Sequence, residues 1–346
     1  MGKVRVAVVG TGIWGKTHLE AYAEQPAAEL VAVCDIDAAR ARAAAERYGA
    51  PKWYAGVSEM LAAERLDGVS VVTPDAFHAE IAIRCAEAGV HVLCEKPLAT
   101  TVEDCEAMIA AADQNHVYLM VDWHNRWNPP FYAAWTAIRD GELGDVRYIY
   151  YRLSDTIYVP TQMLPWASKS SVMLFLGSHS IDTVCWLAGR KPVSVACRRQ
   201  EGVLTGMGID TADLYVTLLE LEGGAVAVLE NAWILPQSAP ALVDHRVEII
   251  GTRGVVHLDP HYNGAMTKYT AGTPRGFPDV SMPDMFACAR VQGKCVGFAH
   301  RSIDHFVECI RDGKTPLTSG ADGLTNTRVV LAAEESAARG GVPVGL

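Results

Sequence analysis

Five short apolar runs mark the first third of the chain: Val4–Val9 and residues 30–34, 69–72, 90–94 and 117–121. Each is nearly continuous, which is the pattern of a strand buried on both faces rather than of a half-exposed one. Between them, apolar positions recur at helical spacing. Residues 16–22, 38–48, 58–63, 76–88 and 100–112 read as helices, with Gly49 and Gly89 at two of the stops, Ser58 as a cap, and Thr100 with Glu103 as a capping box. Strand and helix alternate throughout, so this part of the chain is α/β, a doubly wound parallel sheet.

The rhythm changes beyond Asp122. Residues 145–153, 212–221, 225–233 and 246–258 are extended stretches joined by turns such as Gly223-Gly224, and a helix over 178–187 lies between the first two. Strands that follow one another without helices predict a mainly antiparallel sheet and an α+β second domain. Residues 266–298, rich in Gly, Pro and Met, read as a long loop region. The closing helix from Ser302 carries Ile303, Phe306, Val307 and Ile310 on one face and stops at Gly313. At 346 residues the chain is long for one core. The change of rhythm divides it into 1–124 and 125–346, with the closing helix placed to pack back on the first domain.

The first apolar run turns into Gly10-Thr11-Gly12-Ile13-Trp14-Gly15. A strand, three glycines at this spacing and a helix start make a dinucleotide-binding turn of the Rossmann type. Gly10 permits the sharp bend, Gly12 lets the backbone approach a pyrophosphate, and Gly15 lets the helix pack closely on the sheet. Free amides at the helix start then face the phosphates. Asp35 ends the second apolar run, where an acidic side chain accepts hydrogen bonds from the adenosine ribose. Asp35 and Asp37 together repel a 2′-phosphate, which favours NAD over NADP; Arg40 and Arg42 lie close behind, where either could reach a phosphate, but both read more simply as solvent-facing helix residues.

Ligands bind at the carboxyl ends of the strands in such a sheet, and polar residues collect there: Thr73-Pro74-Asp75, Glu95-Lys96-Pro97, and Asp122 through Arg126. A lysine at Lys96, beside a nicotinamide, can hold a substrate oxygen and stabilise an alkoxide; its plainer reading is a surface lysine paired with Glu95. His179 stands at the start of the second-domain helix. An imidazole, with an ordinary pKa of about 6.5, can take the proton of a hydroxyl under oxidation. Asp182, three residues on, shares its helix face and can orient it or bind a hydroxyl. A satisfied structural histidine is the plainer reading of His179.

A formal net charge of −10 without a long acidic run argues against nucleic acid or an anionic membrane as partner. Nine cysteines, with no C-x-x-C pair and no Cys/His cluster at zinc spacing, predict reduced thiols and no metal site. The N-terminus enters the first strand directly, and no apolar run reaches membrane-spanning length, so the expected compartment is the cytoplasm.

Gly10-Thr11-Gly12-Ile13-Trp14-Gly15, Thr73-Pro74 with His78, Glu95-Lys96-Pro97, Arg126 with Pro129, and His179-Ser180-Ile181-Asp182 together resemble the glucose-fructose oxidoreductase/inositol dehydrogenase/rhizopine catabolism (Gfo/Idh/MocA) family. The resemblance covers the first domain, the His179 helix and the closing helix with the Pro316 to Gly323 segment. It implies a nicotinamide-dependent oxidoreductase acting on a sugar, a cyclitol or a related polyol. It assigns Lys96 to the reacting oxygen and the nicotinamide ribose, and His179 to general acid/base catalysis. It also implies an open-faced sheet packed against another subunit, hence a homodimer or homotetramer. One departure stands out: the family often has an Asp four residues before the histidine, and here that residue is Phe175, preceded by Ser170-Ser171 in place of a glycine pair. Asp182 or Tyr158 is then expected to supply the missing contact, or Phe175 presents an apolar wall to a less polar substrate. Arg126 belongs with the substrate-binding candidates, and Trp123, His124, Trp127 and Trp166 offer stacking surfaces for a ring, although such aromatics are more often core. Two other readings stay open on the same fold, a redox-neutral glycosidase that retains NAD and a non-catalytic NAD-binding regulator.

Overall fold

A computed structural model describes residues 2–239, 241–259, 266–268, 279–281 and 287–346. The chain divides into two units, one made of residues 1–127 and 290–328, the other of residues 128–289 and 329–346.

The first unit begins β1 (Val4–Val9), α1 (Ile13–Glu24), β2 (Ala28–Cys34), α2 (Ala38–Tyr48), β3 (Lys52–Tyr54) and α3 (Val57–Ala63). It continues β4 (Gly68–Val71), α4 (His78–Glu87), β5 (His91–Cys94), α5 (Val102–Gln114) and β6 (Leu119–Val121). The sheet order is β3-β2-β1-β4-β5-β6 and every pair is parallel. This is the Rossmann order, with the strand order reversing between β1 and β4. Both faces of β1 are covered. Val4, Val6 and Val8 pack with Leu19 and Tyr22 of α1, while Ala7 and Val9 pack with Ala82 and Cys85 of α4 and Met108 of α5. That double burial is why the strand runs are continuous rather than alternating.

Local details differ from expectation. The cap of α5 is Thr101, whose hydroxyl accepts from the Asp104 amide at 3.1 Å, so the Thr100–Glu103 capping box does not form. Gly56 starts α3, and Ser58 lies inside it, accepting instead from Arg84 at 2.9 Å. Residues 75–77 form a 3-10 turn before α4. The edge strand β3 was not anticipated, because only three residues pair and none is buried.

The second unit contains α6 (Pro129–Arg139), β7 (Val146–Thr156), α7 (Ser178–Ala188), β8 (Pro192–Gln200), α8 (Val203–Gly206), β9 (Leu214–Leu221), β10 (Val226–Leu235), β11 (Val243–Gly251) and β12 (Val255–Leu258). Its sheet runs β12-β11-β7-β10-β9-β8, with Val344–Gly345 added at the β8 edge. All pairs are antiparallel except β7 with β10. The sheet is therefore mixed. A chain that leaves β7 and returns through β8 and β9 re-enters beside β7 in the same direction. The stretch over 246–258 is a hairpin of β11 and β12 rather than one strand, and β8 is an additional strand. One face holds the core, with Tyr215, Leu219 and Leu221 of β9 against Ile181, Val184 and Leu187 of α7 and Val329, Val330 and Ala333. On the other face Val216 and Leu218 alternate outward.

The expected loop over 266–298 lies partly outside the described residues; within it Met266–Lys268 pairs with Asp279–Ser281, and Arg290–Val291 with Lys294–Cys295. The chain then forms α9 (Phe298–Asp312), whose Ile303, Phe306 and Val307 join the β1 core of the first unit, and α10 (Gly320–Ala338).

Candidate active site

The glycine-rich turn has the backbone that its spacing demands. Gly10 has φ +97°, and a Cβ there would strike the Val72 carbonyl oxygen; one at Gly15 would strike the Gly10 carbonyl oxygen. Gly12 differs: nothing lies within 4 Å of a Cβ at this position, which opens to free space at the start of α1. A pyrophosphate fits there against the helix amides.

Asp35, at the end of β2, is held by the same turn. Its Oδ2 accepts from the Thr11 amide at 2.9 Å and the Thr11 hydroxyl at 2.7 Å. Its Oδ1 accepts from the Asp37 amide at 2.9 Å and from Arg40 Nη2 at 3.0 Å. Burial alone would raise the carboxyl's pKa, but these bonds and Arg40 outweigh it and hold Asp35 below the usual carboxylate range. Arg40 is thus not simply solvent-facing; it bridges Asp35 and Asp37, whereas Arg42 pairs with Glu46. Ile13 is exposed, and Trp14 is half-buried beside the His124 ring.

The strand ends of β4 and β5 are joined by His78. Its Nδ1 lies 2.8 Å from the Pro97 carbonyl and its Nε2 2.9 Å from the Thr73 carbonyl. Burial, the largest influence, lowers its pKa despite these acceptors. His78 is 1% exposed and both nitrogens face these backbone carbonyls, one of them donating in the neutral ring, so it packs between the Thr73-Pro74 and Lys96-Pro97 segments instead of presenting a nitrogen to a coenzyme. Lys96 is half-buried, next to the buried Glu95.

Glu95 does not face solvent either. Its Oε1 lies 3.0 Å from His18 Nε2, its Oε2 accepts from the Lys96 amide at 3.2 Å, the Trp14 side chain hydrogen-bonds to it, and an Asp122 oxygen lies within 4.8 Å of it. His18 Nε2 also lies 3.4 Å from Asp122 Oδ2, and its Nδ1 is 3.0 Å from Ser70 Oγ, which meets the Tyr22 hydroxyl at 2.6 Å. Burial pushes Glu95 and Asp122 each up to about 7 and His18 down to about 4. Sequence reasoning missed His18 and Asp122 as members of this group. Their only local signal was polar character on an otherwise apolar helix face and at a strand end.

The segment after β6 mixes site and core. Trp123 is fully buried in the sheet core of the first unit and offers no stacking surface, a correction to the expected role. Arg126 is 7% exposed, donates to the Leu317 carbonyl at 3.0 Å and pairs with Asp322 at 3.4 Å, so these contacts are structural. Trp127 packs at 5.3 Å against His305. The His124 ring lies 5.4 Å from Trp14 and 5.5 Å from Phe298, and burial, aided by Lys96 and His18, lowers its pKa to about 3.

In the second unit, a wide helical turn over Met173–Gly177 runs directly into α7. His179 and Asp182 stand in the first turns of α7, both buried at 8% and 5% exposure. Phe175, four residues before His179, packs at 6.1 Å from Trp166 and 5.5 Å from Trp233. Trp233 of β10 was not anticipated here, since it reads only as one residue of a strand. Asn231, also on β10, ties the helix to the sheet by donating to Ser180 Oγ at 2.9 Å and to the Leu153 carbonyl at 3.0 Å. Tyr158 is 40% exposed. Lys96 thus belongs to the first unit and His179 to the second.

Among the described residues, Glu20, Cys295 and His300 also cluster with potential ligand atoms within 4.8 Å. Arg290, 3.4 Å from Glu20 and 3.1 Å from Glu24, already supplies positive charge there.

Residues 4–123 match the oxidoreductase family model for an NAD-binding Rossmann fold, and residues 136–346 match that family's C-terminal α/β domain. The chain is 29% identical to a D-apiose dehydrogenase of Paraburkholderia graminis, covering 96% of this chain and 88% of that one. It is also 29% identical to the NAD-dependent scyllo-inositol 2-dehydrogenase of Bacillus subtilis, covering 99% and 96%. The solved structure of GenD2 from gentamicin A biosynthesis, in complex with NAD, superposes with a TM-score of 0.86 at 25% identity, covering 100% of this chain and 97% of that one. With its glycine-rich turn, Asp35 and both domains of the family accounted for, the chain belongs to the Gfo/Idh/MocA oxidoreductases and uses NAD.

Proposed function

We propose that the protein oxidises a secondary hydroxyl of a sugar, sugar derivative or cyclitol. The observation that carries this reading is the strand-end array of the first unit, where the Gly10–Gly15 turn, Asp35 and Lys96 stand together at the carboxyl edge of a Rossmann sheet. NAD, when bound, accepts the hydride at carbon 4 of its nicotinamide. The helix amides and Gly12 receive the pyrophosphate and Asp35 the adenosine ribose. Lys96 donates a hydrogen bond to the reacting oxygen and stabilises the developing alkoxide. His179 takes the hydroxyl proton, with Asp182 one turn along α7 to orient it or bind a neighbouring hydroxyl. The products are a ketone, NADH and one proton. The names of the relatives, apiose and inositol dehydrogenases, support a polyhydroxylated ring as substrate. Trp166 and Phe175, both half-buried and with the buried Trp233 packed behind Phe175, add an apolar side suited to a ring face.

The outward face of the second sheet, with Val193, Val216, Leu218 and Ile250 each more than 40% exposed, supports a homodimer or homotetramer built on that face. An odd number of cysteines, nine, with no C-x-x-C pair supports a reducing, cytoplasmic setting. Purified protein incubated with NAD and a panel of inositols, free sugars and glycosides is expected to form NADH with one group. No NADH with any polyol, together with NAD retained through purification, would overturn the dehydrogenase reading.

A further inference from the structure

Among the described residues of the first unit, three buried titratable side chains stand in mutual contact with no assigned task. His18 comes from α1, Glu95 from the end of β5 and Asp122 from the end of β6, and each is at most 5% exposed. Two carboxyl groups with oxygens within 4.8 Å of each other in a dry site cannot both be ionised without strong repulsion, so one proton is held between Glu95 and Asp122. His18 is neutral, with Nε2–H serving the two carboxyl groups and Nδ1 accepting from Ser70, whose oxygen accepts from Tyr22. The Tyr22, Ser70 and His18 side chains are then all satisfied.

We propose that His18 and Asp122 are positioning residues for the coenzyme site. Together they clamp Glu95, and Glu95 in turn holds the Lys96 backbone and the Trp14 indole of the glycine-rich turn in register. The clamp works only while the shared proton is present. Once that proton is lost, two anions remain in contact in a buried site, their repulsion drives Glu95 off Trp14, and the turn that receives the pyrophosphate loosens. NAD affinity therefore falls as pH rises through the range in which the pair ionises.

The groups that face this pair are His18 and Tyr22 on α1, Ser70 on β4, the buried Cys94 thiol on β5, Lys96 and His124 on the strand-end loops, and Ser302 on α9. His124 is held down to about 3 and His78 is also lowered, so neither histidine supplies a step near neutrality.

The inference rests on Lys96 serving the reaction, but its test needs only NAD and the intact protein, so a silent substrate panel would leave the outcome readable. Titration calorimetry with NAD across about pH 6 to 9 is expected to show affinity falling about tenfold, with its midpoint near neutrality. Asp122→Asn replaces the shared proton with an amide donor that does not titrate, and its NAD affinity is expected to be flat across that range. Asp122→Leu and His18→Phe remove the clamp and are expected to bind about tenfold more weakly at every pH. If wild type and Asp122→Asn share one pH profile, or if folded His18→Phe binds NAD like wild type, the positioning role is wrong. Asp122→Asn keeps the side-chain shape, so the comparison stands even where His18→Phe does not fold.

Discussion

The two sheets of this protein are buried differently, and that difference decides where function can be read. The first sheet is covered on both faces, so its strands are uniformly apolar and its chemistry is confined to the strand ends. Gly10, Asp35, Thr73, Glu95 and Asp122 all occupy such ends or follow them directly. The second sheet is covered on one face, so its strands alternate. Its buried polar side chains gather on α7, with Asn231 and Trp233 reaching that helix or its aromatic neighbours from the sheet. A parallel sheet covered on both faces leaves its strand ends for ligands, whereas a sheet covered on one face leaves the other face open.

The largest test of this comparison sets one residue of each unit against the other. Lys96→Ala is expected to lower kcat about 100- to 1000-fold and His179→Gln about 100-fold on the identified substrate. In His179→Gln the NAD affinity should stay within about threefold of wild type, because that residue belongs to the unit without the glycine-rich turn. Turnover within about threefold of wild type for either variant would remove that residue from the chemistry.

A second test divides the glycine-rich turn itself. Gly15→Ala forces a Cβ onto the Gly10 carbonyl and should destabilise the protein by about 1–3 kcal/mol in denaturant unfolding. Gly12→Ala meets open space, so unfolding should be almost unchanged while NAD binding weakens by about tenfold. Equal stability losses in the two variants would contradict the division of labour between these glycines.

The smallest effect on catalysis is expected from the outward face of the second sheet. Leu218→Lys, at a position 48% exposed on β9, should shift sedimentation toward a smaller species while leaving NAD affinity of the first unit unchanged. An unchanged oligomeric state in both Leu218→Lys and Val216→Lys would remove this face as the subunit contact.

Legibility followed the range of the interactions. The turn at Gly10 to Gly15 and the acidic end of β2 were readable because each needs only neighbours a few residues away. Arg40 was misjudged for a similar reason: helical spacing marks it as outward, but a long side chain can fold back to a carboxylate on the preceding strand end. Trp123 was misjudged in the opposite direction, since a residue just past a strand end looks accessible until the elements around it close over it. The Thr100–Glu103 cap failed by one residue, because Thr101 and not Thr100 takes the extended backbone that a cap needs.

By itself, then, the sequence determined the parallel sheet, the nucleotide-binding turn, the choice of an acidic residue for the ribose and the change to a strand-rich second half. These follow from periodicity and from the steric freedom of glycine, which act locally. Only the tertiary structure decided that β7 and β10 lie parallel, and that His18, 77 residues from Glu95, meets it and Asp122 in a dry pocket. Register between distant strands and the protonation of buried groups depend on which surfaces lose water together, and no window along the chain carries that information.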